Sequence, residues 1–173
     1  SKENIKIPSH EVNNLDLIKY SLDNFSKVYI SLGACSEHEL DNVVSLINKM
    51  RFGDQNIIAM HCVSAYPCNI ENMNLGRLDA LSLKLNNTLG LSDHSTSVLV
   101  PSFAVIKGAK VIEKHFTTNN DLPGRDNKFA MLPENFKKLV MNCEDAKQSI
   151  IDHGINAQKI EMDTINTYRG RWG

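Results

Sequence analysis

The residues with the plainest chemical potential end two successive apolar runs: His94 in "GLSDHSTS", residues 90–97, and His115 in "KVIEKHFTT", residues 110–118. Asp93 sits beside the first, and Glu113 stands two residues before the second. Imidazole and carboxylate are side chains of metal ligation and proton transfer, and histidine changes charge closest to neutral pH. Similar endings recur earlier: Lys6, Ser9 and Glu11 close a first apolar run, Ser31 a second, and His61, Ser64 and Tyr66 a third. Spacing alone leaves two readings of the histidines open, a shared site or two unrelated rings each satisfied by a backbone carbonyl. A single such serine is more simply a cap or a loop residue. Five consecutive runs with polar endings make that explanation hard to hold for the set.

The elements that must position these residues follow from the apolar runs at 5–9, 27–32, 56–63, 88–92 and 110–115, which are separated by longer amphipathic stretches. This alternation predicts β/α units around a parallel sheet. Ser36 with Glu39 three residues on is a capping box that opens a helix over 37–50, where Leu40, Val43, Val44, Ile47 and Met50 share one face. Helices over 74–85, 98–107 and 133–151 follow the same plan, with Pro133 and Glu134 in the first turn of the last and Gly108 turning the chain before the fifth strand. Read toward its carboxyl end, each strand delivers its polar residues to one pole. In a (β/α)8 barrel or an open parallel sheet, that pole is where ligands bind.

Composition narrows the partners. Lys plus Arg number 19 against 20 for Asp plus Glu, so no global field attracts nucleic acid or an anionic membrane, and any phosphate recognition is local. The apolar runs are far shorter than the roughly 20 residues that span a bilayer, and the N-terminus shows no signal-peptide core, so the expected compartment is the cytoplasm. Cys35, Cys62, Cys68 and Cys143 are expected to be free thiols, since 173 residues with 42% hydrophobic content build a core without staples. Their spacing does not make a zinc site.

The motifs "HCVSAYP", "GLSDHSTS", "GAKVIEKHFTTNNDLPGRD" and "MLPENFKKLV", in order from about residue 6 to residue 140, resemble the sialic acid synthase family, with its N-acetylneuraminate, legionaminate and pseudaminate synthases. The resemblance implies an α/β fold of the (β/α)8 TIM-barrel type and condensation of phosphoenolpyruvate with an N-acetylated hexose, N-acetylmannosamine or an analogue. The product is a nine-carbon 2-keto sugar acid, and the reaction uses a divalent ion, Mn²⁺ or Mg²⁺. Carried over residue by residue, the metal ligands are His94 and His115. The phosphoenolpyruvate site is Lys6, Ser9, Ser31, Ser64 and Ser92, a lysine charge with hydroxyls suited to a phosphate and a carboxylate. Tyr66, Asp126 and Glu11 fall at the sugar, and Glu113 close to the metal. Glu113 and Glu11 are both candidates for the carboxylate that handles the proton and the charge developing at C2. Ser64 stands where some relatives carry asparagine, Pro8 where glycine is commoner, and Arg125 where proline is frequent.

Other chemical-looking residues carry structural expectations. His61 is expected to be buried and hydrogen-bonded locally, and His38 solvated in a first helical turn. His10 takes no role from the family, and strand alternation points Lys114 toward the helix layer. A complete barrel takes about 250 residues and eight strands, whereas this chain, taken as one unit over 1–173, supplies about five β/α units. It is therefore expected to be a partial barrel beginning at the family's fourth strand, without the antifreeze-like C-terminal domain of many relatives and inefficient alone, the full enzyme being a homodimer. Two alternatives are a catalytically silent scaffold derived from the barrel and a metal-dependent aldolase.

Overall fold

The apolar runs pair in the order in which they occur. The computed structural model describes residues 3–50 and 56–171. Its strands are β1 (Asn4–Ile7), β2 (Lys27–Ser31), β3 (Ile57–Cys62), β4 (Thr88–Asp93) and β5 (Val111–Lys114), every neighbouring pair parallel and the sheet order β1-β2-β3-β4-β5. Between and after them run α1 (Leu15–Asn24), α2 (Glu37–Lys49), α3 (Arg77–Lys84), α4 (Val100–Ile106) and α5 (Pro133–Ser149), with α6 (Met162–Thr167) in the tail. A strand order that never reverses is the winding of a barrel, while a doubly wound sheet turns back at a switch point. The sheet is also curved: Lys6 on β1 and Glu113 on β5, at its two ends, meet at 3.0 Å. The fold is a partial (β/α)8-type barrel of five units.

Local chemistry explains where the elements stop. β1 ends at Ile7 because Pro8 has no amide hydrogen to donate, and Ser9–Glu11 turns as a 3-10 helix. The Ser36 capping box is formed, with the Ser36 side chain accepting from the Glu39 amide and the Glu39 carboxylate accepting from the Ser36 amide at 2.8 Å. Such a cap contributes about 1 kcal/mol. α3 begins at Arg77, three residues later than its apolar spacing predicts, because Asn74 takes φ 46°. α1 is the helix the apolar pattern left unnamed. Its buried face includes Ser21, whose hydroxyl donates to the Leu17 carbonyl at 2.8 Å and is thereby absorbed into the helix.

Strand alternation divides the two faces. Ile7, Val28, Ile30, Leu32, Ile57, Ala59, Leu89 and Leu91 point outward and form the core with Leu22, Val43, Ile47, Leu78 and Leu81 of the helices. Burying one such side chain is worth about 1.5–3 kcal/mol. Residues of the opposite parity, Lys6, Tyr29, Ser31, Met60, Cys62, Gly90, Ser92 and Glu113, share the concave face. Among the described residues neither β1 nor β5 has a second strand neighbour in the sheet. All four cysteines are unpaired, and the tail from 154 to 171 lies almost wholly exposed. No helix among the described residues is long and apolar enough to cross a membrane.

Gly90 lets the concave face close up, because a Cβ there would lie 2.9 Å from the Val111 carbonyl oxygen and 3.2 Å from Met60 Cγ. Gly90→Ala is expected to cost about 1–3 kcal/mol of unfolding free energy through overpacking. Gly76→Ala, where a Cβ meets nothing within 4 Å, is expected to stay within about 0.5 kcal/mol of the parent. Urea denaturation of both variants checks the contrast.

Candidate active site

The carboxyl ends of the strands surround a cavity of about 330 Å³. Of the site residues expected from sequence, Lys6, Ser9, Ser31, Ser64, Tyr66, Ser92, His94, Glu113 and His115 line it, joined by Pro8, His10, Ala34 and Cys62. Glu11 does not line it, and its Oε2 instead accepts from Asn14 Nδ2 at 3.0 Å. Asp126 stands at the margin, Oδ2 lying 3.6 Å from His115 Nδ1. A larger cavity of about 540 Å³ lies between the inner face and α5, lined by Tyr29, Met60, Phe136 and Leu139, and shares Lys6 and Glu113 with the first.

Backbone geometry gathers the hydroxyls. Gly33, just beyond β2, donates its amide to Ser9 Oγ at 3.2 Å. A Cβ on Gly33 would sit 2.8 Å from Ser9 Oγ and 2.9 Å from both Ser64 Oγ and the Cys62 carbonyl, so only glycine lets these three segments meet. Ser31 Oγ, at the end of β2, is buried and has no hydrogen-bond partner among the described residues. A hydroxyl so placed on a cavity wall still has a hydrogen to donate. Ser92 Oγ donates to Glu113 Oε1 at 2.7 Å, the oxygen that also meets Lys6 Nζ.

The two histidines follow directly on the last paired residues of β4 and β5, Asp93 and Lys114. Their ring centroids lie 5.4 Å apart. His94 Nδ1 is 2.8 Å from the Val63 carbonyl, so in the neutral ring Nδ1 carries the hydrogen and Nε2 the free lone pair. Tyr66 packs against His94 with ring centroids 4.1 Å apart. Beyond β5, the Met131 amide donates to the His115 carbonyl at 2.8 Å and the Thr117 amide to the Met131 carbonyl at 3.0 Å, folding the intervening loop back onto the site. That loop brings Asp126 and Phe129 to His115, the Phe129 ring lying 5.1 Å from the imidazole centroid.

Burial opposes protonation of His94, but hydrogen bonding to Cys62 Sγ and to the Val63 carbonyl outweighs it and raises the pKa. Cys62 shows the complement: burial opposes ionisation, yet hydrogen bonds with His94, Ser9 and Ser64 bring the thiol below its ordinary value. Burial lowers the pKa of His115, and the neighbouring His94 charge adds to it. Among the described residues no three His, Cys, Asp or Glu side chains form a metal-binding cluster.

His61 is fully buried, with Nε2 2.7 Å from the Met73 carbonyl and Nδ1 without a partner among the described residues. His38 is exposed and near Asn42 at 3.4 Å. Arg125 is exposed on the loop. Lys114 points away from the cavity and pairs with Asp93 Oδ2 at 2.6 Å. Besides Pro8, His10 and Ala34 on the cavity wall, Cys62 and Phe129 reach the site without a role from the sequence reading. Cys62 was signalled by alternation, since it shares the parity of Met60 and lies opposite Ser92 in the ladder. Phe129 had no local signal, because the folded-back loop alone brings it to the histidines.

The arrangement joins a wall of one lysine and four serine hydroxyls to a pair of imidazoles. The model of the NeuB family matches residues 1–154. This chain belongs to the NeuB family. It is 35% identical over 146 residues to the N,N'-diacetyllegionaminic acid synthase of Legionella pneumophila, covering 83% of this chain and 41% of that protein. It is likewise 35% identical over 164 residues to the pseudaminic acid synthase of Helicobacter pylori, covering 95% of this chain and 47% of that one. The crystal structure of the N-acetylneuraminic acid synthetase from Leptospira borgpetersenii superposes with a TM-score of 0.83 at 31% identity, over 97% of this chain and 59% of that one. The NeuB-family chain thus spans less than half the length of these two curated relatives, which are synthases of sialic-type sugar acids.

Two outcomes follow from the site in the free chain. Ser31→Ala removes a buried unsatisfied hydroxyl, so it is expected to raise the unfolding free energy by about 1 kcal/mol, as read by urea denaturation. His61 is held below the usual histidine pKa, chiefly by burial, so unfolding takes up a proton as pH falls through about 6.5. Its stabilising contribution is therefore complete above that pH and is lost below it. The stability advantage of the parent over His61→Gln is expected to shrink between pH 7.5 and pH 5, measured by denaturation at each pH.

Proposed function

We propose that this chain carries the phosphoenolpyruvate site and the metal-binding histidines of a sialic-type sugar acid synthase. Its substrates are phosphoenolpyruvate and an N-acetylated hexose, N-acetylmannosamine or an analogue, and its products a nine-carbon 2-keto sugar acid and inorganic phosphate. The observation that carries this reading is a single cavity in which Lys6 and the hydroxyls of Ser9, Ser31, Ser64 and Ser92 face His94 and His115. A scaffold has no physical need to keep that set together.

The donor set suits a divalent ion. His94 presents Nε2 because Nδ1 is tied to a carbonyl, the arrangement that orients and tunes a ligating imidazole. Two imidazoles with room for water suit a divalent ion whose remaining positions are filled by oxygen ligands, Mn²⁺ or Mg²⁺ in this reading. When bound, the ion supplies Lewis-acid polarisation of the sugar aldehyde.

The residues account for the remaining work. Lys6 and the serine hydroxyls hold the phosphate and carboxylate of phosphoenolpyruvate through charge-assisted bonds. In the free chain Lys6 is engaged by Glu113, so an incoming anion replaces Glu113 as its partner and releases that carboxylate toward the reacting carbons. Carbon C3 then forms the new bond to the aldehyde carbon, whose oxygen takes a proton. Water adds at C2 and gives up one proton through Glu113 to that oxygen, and the hydroxyl it leaves on C2 passes its own proton to the departing phosphate as the C2–O bond breaks and the keto group forms. Glu113 fills this role better than Glu11 because it lines the cavity and Glu11 does not. Tyr66 and Asp126, beside His94 and His115, form the acceptor side.

Calorimetric titration tests the reading. The chain is expected to bind phosphoenolpyruvate and Mn²⁺. Lys6→Met should weaken the first by at least about tenfold through loss of a charge-assisted bond, and His94→Ala with His115→Ala should abolish the second. Ser31→Ala is expected to weaken phosphoenolpyruvate binding while stabilising the free chain. A folded chain that takes up neither ligand would overturn the proposal. Release of free phosphate on adding N-acetylmannosamine distinguishes it from an aldolase, which leaves the phosphate ester intact.

A further inference from the structure

On the outer side of the sheet, away from the 330 Å³ cavity, Lys114 and Asp93 stand directly opposite each other in the last rung of the β4–β5 ladder. Their side chains are 3% and 0% exposed, and the ammonium lies 2.6 Å from Asp93 Oδ2. Lys114 also donates to the Ser95 carbonyl and lies 3.4 Å from Ser95 Oγ. Asp93 Oδ1 accepts from the Ser95 amide at 2.7 Å. One lysine between Glu113 and His115 therefore grips both chain neighbours of His94.

An ion pair sealed from water is poorly explained as a source of stability. Removing two charges from water costs several kcal/mol per ion, and well-packed apolar side chains often do as well in the same space. What a buried pair with this geometry does supply is register. With charges opposed across the last rung, a slip of the β4 end along β5 would leave one of them buried and unpaired. The imidazoles project from the next residue on each strand, so their separation is set by this rung. The Val63 carbonyl and the Cys68 amide, which donates to the His94 carbonyl at 2.9 Å, hold the same turn from the β3 side.

We propose that Lys114 and Asp93, with Ser95, form a positioning strut behind the sheet that sets the distance and relative tilt of the His94 and His115 imidazoles. Neither charged residue touches the reacting groups. Their action passes through the backbone of the two strand ends. The consequence for metal affinity rests on the proposed function, but the ring geometry does not.

The test uses the full chain with labelled histidines and reads proton–proton contacts between the His94 and His115 rings by NMR. His61, buried on β3, is the internal control for an intact fold. The principal variant is Asp93→Asn with Lys114→Met, which removes both charges and leaves neither unpaired. Asp93→Asn with Lys114→Gln keeps hydrogen-bonding groups but has too few donors for three acceptors, and it serves if the first variant does not fold. In whichever variant folds, the inter-ring contacts are expected to disappear while the His61 signals keep their native positions. Retention of the ring contacts in a folded variant would overturn the strut. Co²⁺ titration supplies a second readout, with affinity expected to fall by roughly 10–100-fold, the usual cost of removing the groups that orient metal ligands. If the unaltered chain binds no Co²⁺, the metal reading fails, and the ring contacts still decide the strut.

Discussion

The parallel ladder between β4 and β5 is the constraint on which the site depends. It sets Ser92 against Glu113 on the concave face and Asp93 against Lys114 on the outer one. Side chains alternate with a period of two, so a slip of one residue would turn Ser92 outward and carry Asp93 into the cavity. Gly90 makes the tight pairing possible two rungs earlier, since its Cβ-less backbone fits against the Val111 carbonyl. The same alternation runs through β1, β2 and β3, and it delivers Lys6, Ser31 and Cys62 to the concave side while Ile7, Ile30 and Ala59 enter the core.

The site couples two kinds of recognition within one small cavity. Its hydroxyls come from different β/α units, and Gly33 allows them to converge because any larger residue would collide with Ser9, Ser64 and the β3 backbone. Its histidines come from the last two units and are packed between Tyr66 and the returning loop that carries Phe129. Lys6 and Glu113 meet across the opening of the arc. Curvature thus brings the first and last strands into chemical contact, as the winding of a barrel requires.

Much of this is legible in the sequence. The five strands, the Ser36 capping box and the outward orientation of Lys114 follow from period and from cap chemistry, which are local. The buried, carbonyl-bound state of His61 also agrees with its position in an apolar run. α1 was harder to see because Ser21 interrupts its apolar face, and the polarity of Ser21 is cancelled only by a bond to Leu17 inside the helix. Pro8 shortened β1 through its missing donor, a rule that the sequence contains but that the apolar pattern alone overrides.

What the sequence by itself determined was the list of chemical groups and the pole to which each strand delivers them, because alternation and strand polarity are properties of the local chain. The resemblance to sialic acid synthases rested on that ordered list. Only the tertiary structure decided which groups meet. Glu113 reaches Lys6 and lines the cavity while Glu11 turns to Asn14. Asp126 and Phe129 reach His115 through a loop whose path is fixed by backbone bonds to residues far from them in the chain. Lys114 finds three acceptors around His94. Each of these outcomes depends on distances between segments that only sheet curvature and packing can set.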